Sequence, residues 1–340
     1  MNYEFYMQLA LDEAWKYQGL TYPNPAVGAL LLDINGKIIA CEAHQEAGKS
    51  HAEINVLKSA FIAMSSSDKL VNMITQMESS VEIHEFITQH HNGVFEGCTI
   101  YVTLEPCAHF GKTPPCALLL GKLGLTEVII GIKDPKSEHT GGIALLEKNG
   151  VHVVCGILEK KAKALLEPFM KWQESQFIFF KHAQHLNGVI DGGVVSCEAS
   201  RKHVHALRNK IDLLIISGET VRKDRPTLDA RMVDGRAPDV LIYSKQTEFD
   251  KTIPLFNVEE RTIMISDTLD ILKKYKFIMI EGGSTLFESL KLYIDWHLIY
   301  IAPTMKQGKH FLSQNSAKTV YSHSIEEDIL IYQRLQNAKD

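Results

Sequence analysis

No apolar run in these 340 residues approaches the roughly 18 uninterrupted positions of a membrane-spanning helix. The opening Met1-Asn2-Tyr3-Glu4 has neither the basic start nor the apolar stretch of a secretion signal. Cysteine is scarce. The six residues Cys41, Cys98, Cys107, Cys116, Cys155 and Cys197 are too thinly spread for a disulfide scaffold. A reducing, cytoplasmic setting is therefore expected, where a close cysteine pair points to a metal or to catalysis. Positive charge is not in excess: 36 Lys and Arg against 41 Asp and Glu leave −5, which argues against a general nucleic-acid binder. No Gly-x-Gly-x-x-Gly is present, so an ordinary dinucleotide-binding loop is not indicated.

What is present reads as two domains, the prior for this length. Residues Tyr3 to Gly19 carry helical periodicity, and Ala26 to Leu32 is a buried-strand run. A strand over Lys37 to Ala40 and a helix over His51 to Met64 follow. Further strands are expected at Thr99 to Thr103, Glu127 to Gly131 and Val151 to Cys155, with short helices over Cys116 to Leu123 and Ile143 to Lys148. This alternation predicts an α/β sandwich for residues 1–157. The polar stretch Ser65 to Glu96 interrupts it and reads as a surface insertion of one or two helices, or an oligomer contact. Residues 158–175 form a charged connecting helix. Residues 176–340 form a second α/β domain, with strands at Phe177 to Ala183, Asp212 to Ser217, Val240 to Tyr243, Thr262 to Ser266, Phe277 to Glu281 and His297 to Ala302. Glu198 to Asn209 and Leu286 to Tyr293 are its expected helices.

The strongest chemical signal is His51-Ala52-Glu53 followed by Pro106-Cys107 and Pro115-Cys116. One imidazole and two thiolates suit a tetrahedral Zn²⁺ that keeps one position open for water. Such a metal lowers the water's pKa toward neutrality. Glu53, two residues from a ligand, is placed to move the proton to a leaving amine. This is the pattern of zinc-dependent deaminases, with a wider gap between the cysteines than the usual two residues.

The run Thr103-Leu104-Glu105-Pro106-Cys107-Ala108-His109-Phe110-Gly111-Lys112-Thr113-Pro114-Pro115-Cys116 resembles the signature of the bifunctional riboflavin-biosynthesis deaminase/reductase family. So do Pro23-Asn24-Pro25-Ala26-Val27-Gly28 and His44-Gln45-Glu46-Ala47-Gly48 upstream. The resemblance implies a cytidine-deaminase-like α/β/α sandwich. It implies that Asn24, His44, His109 and Lys112 hold a phosphorylated pyrimidine substrate, and that the chain forms a homo-oligomer.

In the second domain, an apolar strand ends in Glu281-Gly282-Gly283-Ser284-Thr285, where paired glycines let a backbone approach a phosphate. Residues 201–236 hold nine Lys and Arg against five Asp and Glu, a local surplus of basic charge suited to phosphate-bearing ligands. Thr220-Val221-Arg222-Lys223-Asp224-Arg225-Pro226-Thr227-Leu228, with Arg231 after it, is similar to the reductase half of the same family. That similarity implies a dihydrofolate-reductase-like fold and NADPH as cofactor. Ala183, Thr220, Asp224, Gly283, Ser284 and Thr285 would contact the cofactor. Arg208, Leu228, Arg231 and Glu281 would face the ribosyl phosphate. The sequence departs from the family where His185-Leu186-Asn187-Gly188-Val189 replaces its usual Ser-Leu-Asp-Gly-Lys, and Val194 to Ser200 is a shortened segment. A zinc deaminase with an inactive reductase half, a deaminase of nucleosides or RNA, and a zinc-stabilised nucleotide-binding module without catalysis are the competing readings.

Overall fold

The computed structural model describes residues 2–109, 114–135 and 141–336. The chain divides into two compact units, Met1–Phe169 and Met170–Asp340.

The first unit runs α1 (Tyr3–Trp15), β1 (Gly28–Leu32), β2 (Ile38–Ala43), α2 (Ala52–Met64), α3 (Asp68–Thr75), α4 (Ser80–His90), β3 (Thr99–Leu104), α5 (Cys116–Leu120), β4 (Glu127–Ile132), α6 (Gly142–Lys148) and β5 (His152–Cys155). Its sheet has the order β2-β1-β3-β4-β5, with β1 antiparallel to both neighbours and β3, β4 and β5 parallel. β1, Gly-Ala-Leu-Leu-Leu, is buried throughout because helices cover both faces of the sheet. α2 lays Val56, Leu57, Ala60 and Phe61 against Ala29, Leu31, Ile100 and Val102. α1 covers the opposite face so closely that a Cβ on Gly28 would stand 2.0 Å from the Ala10 carbonyl oxygen. That approach explains the glycine ending the Pro23–Gly28 motif. α1 stops at Trp15, short of the expected Gly19, and the chain reaches Gly19 (φ +81°) through turns.

The insertion folds as α3 and α4, each capped by a serine. Ser67 accepts from the Leu70 N–H and Ser79 from the Glu82 N–H. It does more than decorate the surface. Ile74, Ile83, Phe86 and Ile87 are buried in the same core as α2, with the Phe86 and Phe61 rings edge to face at 5.7 Å.

α7 (Glu159–Glu174) follows, and then the second unit: β6 (Phe177–His185), α8 (Glu198–Lys210), β7 (Leu213–Ser217), α9 (Gly218–Asp224), β8 (Asp239–Tyr243), β9 (Ile263–Ser266), β10 (Phe277–Glu281), α10 (Ser284–Leu290), β11 (Trp296–Ala302), β12 (Ala317–Ile325) and β13 (Asp328–Leu335). The sheet order is β12-β13-β11-β6-β10-β7-β8-β9. The six strands from β11 to β9 are parallel, and β13 and β12 close the other edge antiparallel. The sequence reading omitted that final hairpin. β12 is an edge strand with few buried side chains, whereas β13 alternates buried Leu330 and Tyr332 with less buried neighbours, the period-two signal that could have revealed it. α9 was also missed; Ser217 caps it by accepting from the Thr220 N–H.

Candidate active sites

In the first unit, three elements bring donor atoms together. His51 is the N-cap of α2, Cys116 opens α5 behind Pro115, and Cys107 lies in the turn after β3. The His51 Nδ1 and the two Sγ atoms all lie within 4.8 Å of one another. His51 Nδ1 is 3.4 Å from Cys116 Sγ and 3.8 Å from Cys107 Sγ. Zinc bonds of about 2.0–2.1 Å to nitrogen and 2.3 Å to sulfur put tetrahedral donors roughly 3.5–3.8 Å apart. The cluster therefore fits the ion in both donor chemistry and spacing. The Cys116 backbone N–H donates to Cys107 Sγ at 3.3 Å, which favours a thiolate there. The Cys107 thiol is pulled well below its ordinary value by hydrogen bonding from the Cys116 thiol and from His51, which outweighs burial. The remaining four cysteines lie apart from this cluster and differ in burial. Cys98 is buried, but Cys41, Cys155 and Cys197 are half-buried, and Cys197 caps α8 by accepting from the Ser200 N–H.

Glu53 is in the first turn of α2, only 4 % exposed, with its carboxyl close to the Cys116 sulfur. Burial pushes its carboxyl up, opposed by the His51 charge. Beside it, the His44 Nδ1 lies 2.9 Å from the Ser50 carbonyl, which can only accept, so Nδ1 carries the proton. His44 Nε2 is then the acceptor for the Asn24 amide at 3.1 Å. Burial lowers His44 to about 4, so the ring is neutral at pH 7. It stands edge-on to the His51 ring at 5.8 Å. His109 lies exposed beyond Cys107. Lys112 lies outside the described residues.

In the second unit a cavity of about 780 Å³ opens past the carboxyl ends of the parallel strands, the usual ligand crevice of such sheets. Among the expected cofactor contacts, Ala183, Thr220, Asp224, Gly283 and Thr285 line it. Ser284 instead accepts from the Leu312 N–H at 2.8 Å. A Cβ on Gly283 would meet only Ile190 Cδ1, at 3.5 Å, so this backbone is bare toward open space. Lys223 and Lys309 stand on the walls. A cavity of this size with bare backbone and cations fits a phosphate-bearing dinucleotide.

Glu281 lines the cavity, held by Arg208 through two 3.0 Å bonds from Nε and Nη2. Burial pushes the Glu281 carboxyl up, but Arg208 and Lys181 outweigh it and hold it at about 2. Lys181, which sequence reasoning missed, lines the same cavity with its Nζ 4.0 Å from Glu281. Parallel pairing sets Lys181 directly beside Glu281, a juxtaposition visible only once the strand order is known. Arg208, Leu228 and Arg231 are not among the lining residues. Arg231 is exposed and paired with Asp229 at 2.7 Å, and the Leu228 carbonyl accepts from Arg261.

The cavity also touches a buried histidine pair. His182 Nδ1 and His297 Nε2 are 2.8 Å apart, and His182 stacks on the Phe311 ring. Burial lowers both, His182 to about 4. An unfolded histidine titrates near 6.5, so between about pH 6.5 and 4 the unfolded chain binds more protons than the folded one. Stability is therefore complete above that window and lost as pH falls through it. His182 alone accounts for about 1.4 kcal/mol per pH unit. The denaturant midpoint of the second unit should fall between pH 7 and pH 5, with a shallower slope in His182→Phe/His297→Leu.

The two sites define a zinc-binding deaminase region joined to a reductase domain. A family model for the cytidine and deoxycytidylate deaminase zinc-binding region matches residues 1–132, and one for the RibD C-terminal domain matches residues 187–306. The riboflavin biosynthesis protein RibD of Aquifex aeolicus is 32% identical, the alignment covering 88% of this chain and 86% of the relative. That of Mycobacterium tuberculosis is 29% identical over 89% of this chain and 85% of the relative. The crystal structure of a diaminohydroxyphosphoribosylaminopyrimidine deaminase/5-amino-6-(5-phosphoribosylamino)uracil reductase from Thermotoga maritima superposes with a TM-score of 0.66 at 26% identity, covering 98% of this chain and 99% of that one. The chain belongs to the RibD family of bifunctional deaminase/reductases of riboflavin biosynthesis. Zn²⁺ and NADPH are the cofactors that such a pairing uses.

Proposed function

We propose that the chain performs two consecutive steps on one phosphorylated pyrimidine, the compounds named for the Thermotoga maritima relative. The first unit would hydrolyse the 2-amino group of the diaminopyrimidinone, and the second would reduce the ribosyl group to ribityl. The His51, Cys107 and Cys116 cluster with Glu53 against it is the observation that carries this reading.

Zinc held by those three donors supplies Lewis acidity that makes water nucleophilic at neutral pH. Glu53 takes one proton of the attacking water and passes it to the ring nitrogen, then takes the second from the newly formed hydroxyl and gives it to the amino group, which leaves as ammonia. Water is consumed, a carbon–oxygen bond forms and the carbon–nitrogen bond breaks. Asn24 has its amide N–H committed to His44, which leaves its carbonyl oxygen to accept from the pyrimidine. His109 and Lys112 complete our proposed substrate contacts.

In the second unit NADPH supplies hydride for C1′ of the ribosyl group. Ala183, Thr220, Asp224, Gly283 and Thr285 would bind it, with Ser284 holding the adjoining loop. Lys181, which lines the cavity and has its pKa lowered by burial, would give the proton that the opening ring oxygen takes. Glu281, fixed by Arg208, would orient the sugar hydroxyls, and Arg231 and the Leu228 turn, which lie outside the cavity lining, would meet a phosphate that projects beyond it. The Asn187 departure is not a loss of structure: Asn187 Nδ2 donates to the Lys306 carbonyl at 2.7 Å and its Oδ1 accepts from the Lys306 N–H at 3.4 Å. An aspartate could not make both bonds. A reducing, cytoplasmic setting would keep Cys107 and Cys116 as thiols able to bind the metal.

The test is mass spectrometry of the zinc-loaded protein on the diaminopyrimidinone ribosylamino phosphate, with and without NADPH. Deamination alone is expected without NADPH, and a gain of two hydrogens with it. Deamination that never proceeds to reduction would leave only the first half standing. Gly283→Val should raise the KM for NADPH at least ~10-fold, because a branched side chain fills space the cofactor needs, with deamination unchanged. An unaltered KM would remove Gly283 from the cofactor site.

A further inference from the structure

We infer that Glu105 is a positioning residue for the deamination centre: its buried carboxylate fixes the Cys107 turn by tying it to residues 134 and 141–143. The inference rests on the zinc-deaminase reading above. Glu105 is 6 % exposed and collects three backbone N–H donors, each at 3.2 Å. Oε2 accepts from Asp134, and Oε1 from both Gly141 and Ile143. One side chain thus holds the chain where it leaves β4 and again where it enters α6. A buried carboxylate of this kind is costly unless its lone pairs are satisfied, and here backbone amides satisfy them.

The connection to the donor cluster is short. Only Pro106, with its locked φ, separates Glu105 from Cys107. The Pro106 carbonyl packs on Gly142 so tightly that a Cβ there would stand 1.9 Å from it. On its other side Cys107 is tied to α5, its carbonyl accepting from the Ala117 N–H at 3.2 Å and its sulfur from the Cys116 N–H at 3.3 Å. Cys107 is therefore gripped between α5 and the Glu105–Gly142 contact. Loosening the second grip leaves the sulfur free to drift from the other two donors. A shift of about 0.5 Å is enough to spoil the geometry of a metal's ligands.

Two variants approach the grip differently. Glu105→Gln keeps the shape but turns an N–H₂ toward the Asp134 N–H. Gly142→Ala leaves the carboxylate intact and pushes on Pro106. Each is compared with the parent full-length protein by zinc release to a chromophoric chelator, by the visible absorption of the Co²⁺-substituted form, and by melting temperature. Zinc release at least ~10-fold faster and an altered Co²⁺ spectrum in both variants are expected, with NADPH-dependent reduction unchanged. A variant whose melting temperature falls while zinc release and the Co²⁺ spectrum match the parent would reduce Glu105 to a brace of the fold and overturn the inference. If Glu105→Gln does not fold, Gly142→Ala decides by the same readouts. A parent that binds no zinc would instead overturn the underlying deaminase reading.

Discussion

Glu53→Gln should abolish deamination, with kcat down by about 10²–10⁴, while reduction of the deaminated intermediate proceeds at the parent rate. Glutamine preserves the packing of a side chain only 4 % exposed, so the first unit should fold and bind zinc normally. What it loses is the ability to accept the water's proton and return it to the ring nitrogen and the amine. The expected signature is a fall in kcat larger than any change in KM, because the proton moves in the transition state. Supplying the deaminated compound directly with NADPH separates the two halves. A Glu53→Gln protein that still deaminates within a few-fold of the parent would remove Glu53 from the chemistry.

Arg208→Met should cost the second unit about 3–5 kcal/mol, the usual penalty for leaving a buried ion without its partner. The Arg208 and Glu281 side chains are only 12% and 13% exposed, so water replaces little of the lost interaction. Lys181 remains 4.0 Å from Glu281, an insufficient substitute for two 3.0 Å bonds. Relief comes partly by protonation, so the Glu281 carboxyl should rise from about 2. Replacing both residues, as Arg208→Met/Glu281→Met, should restore most of the stability without restoring reduction. Denaturant melts of the three proteins beside reductase assays make the separation. A single variant as stable as the parent would show that the pair carries no structural weight.

The deaminase centre was legible in the sequence because its residues lie close to marked turns. His51 and Glu53 sit at one helix start and Cys116 at another, and prolines precede both cysteines. Asn24 and His44 were named through family resemblance, but their hydrogen bond was not readable, since twenty residues and two strands separate them. Lys181 was missed for a related reason. Nothing local distinguishes it from any strand lysine until β10 is laid beside β6. Glu105 was quoted only as part of a motif, because its partners are backbone amides 29 to 38 residues away and carry no side-chain signature. Arg208 was expected to reach a phosphate, yet local pattern could not show that its fork is committed to Glu281.

The extra helices α3 and α4 set a condition on the ancestry of this domain. Ile74, Ile83, Phe86 and Ile87 share an interior with Phe61 and Phe95, so neither side of that contact is viable in water alone. A lineage acquiring the helical pair had to acquire the aromatic surface beneath it, and one shedding the pair would have to turn that surface polar. Sequence drift should accordingly be confined on the inward positions and free on outward ones such as Lys69 and Glu85. Covariation between 61, 86 and 95 across close relatives would be the historical trace of that bargain.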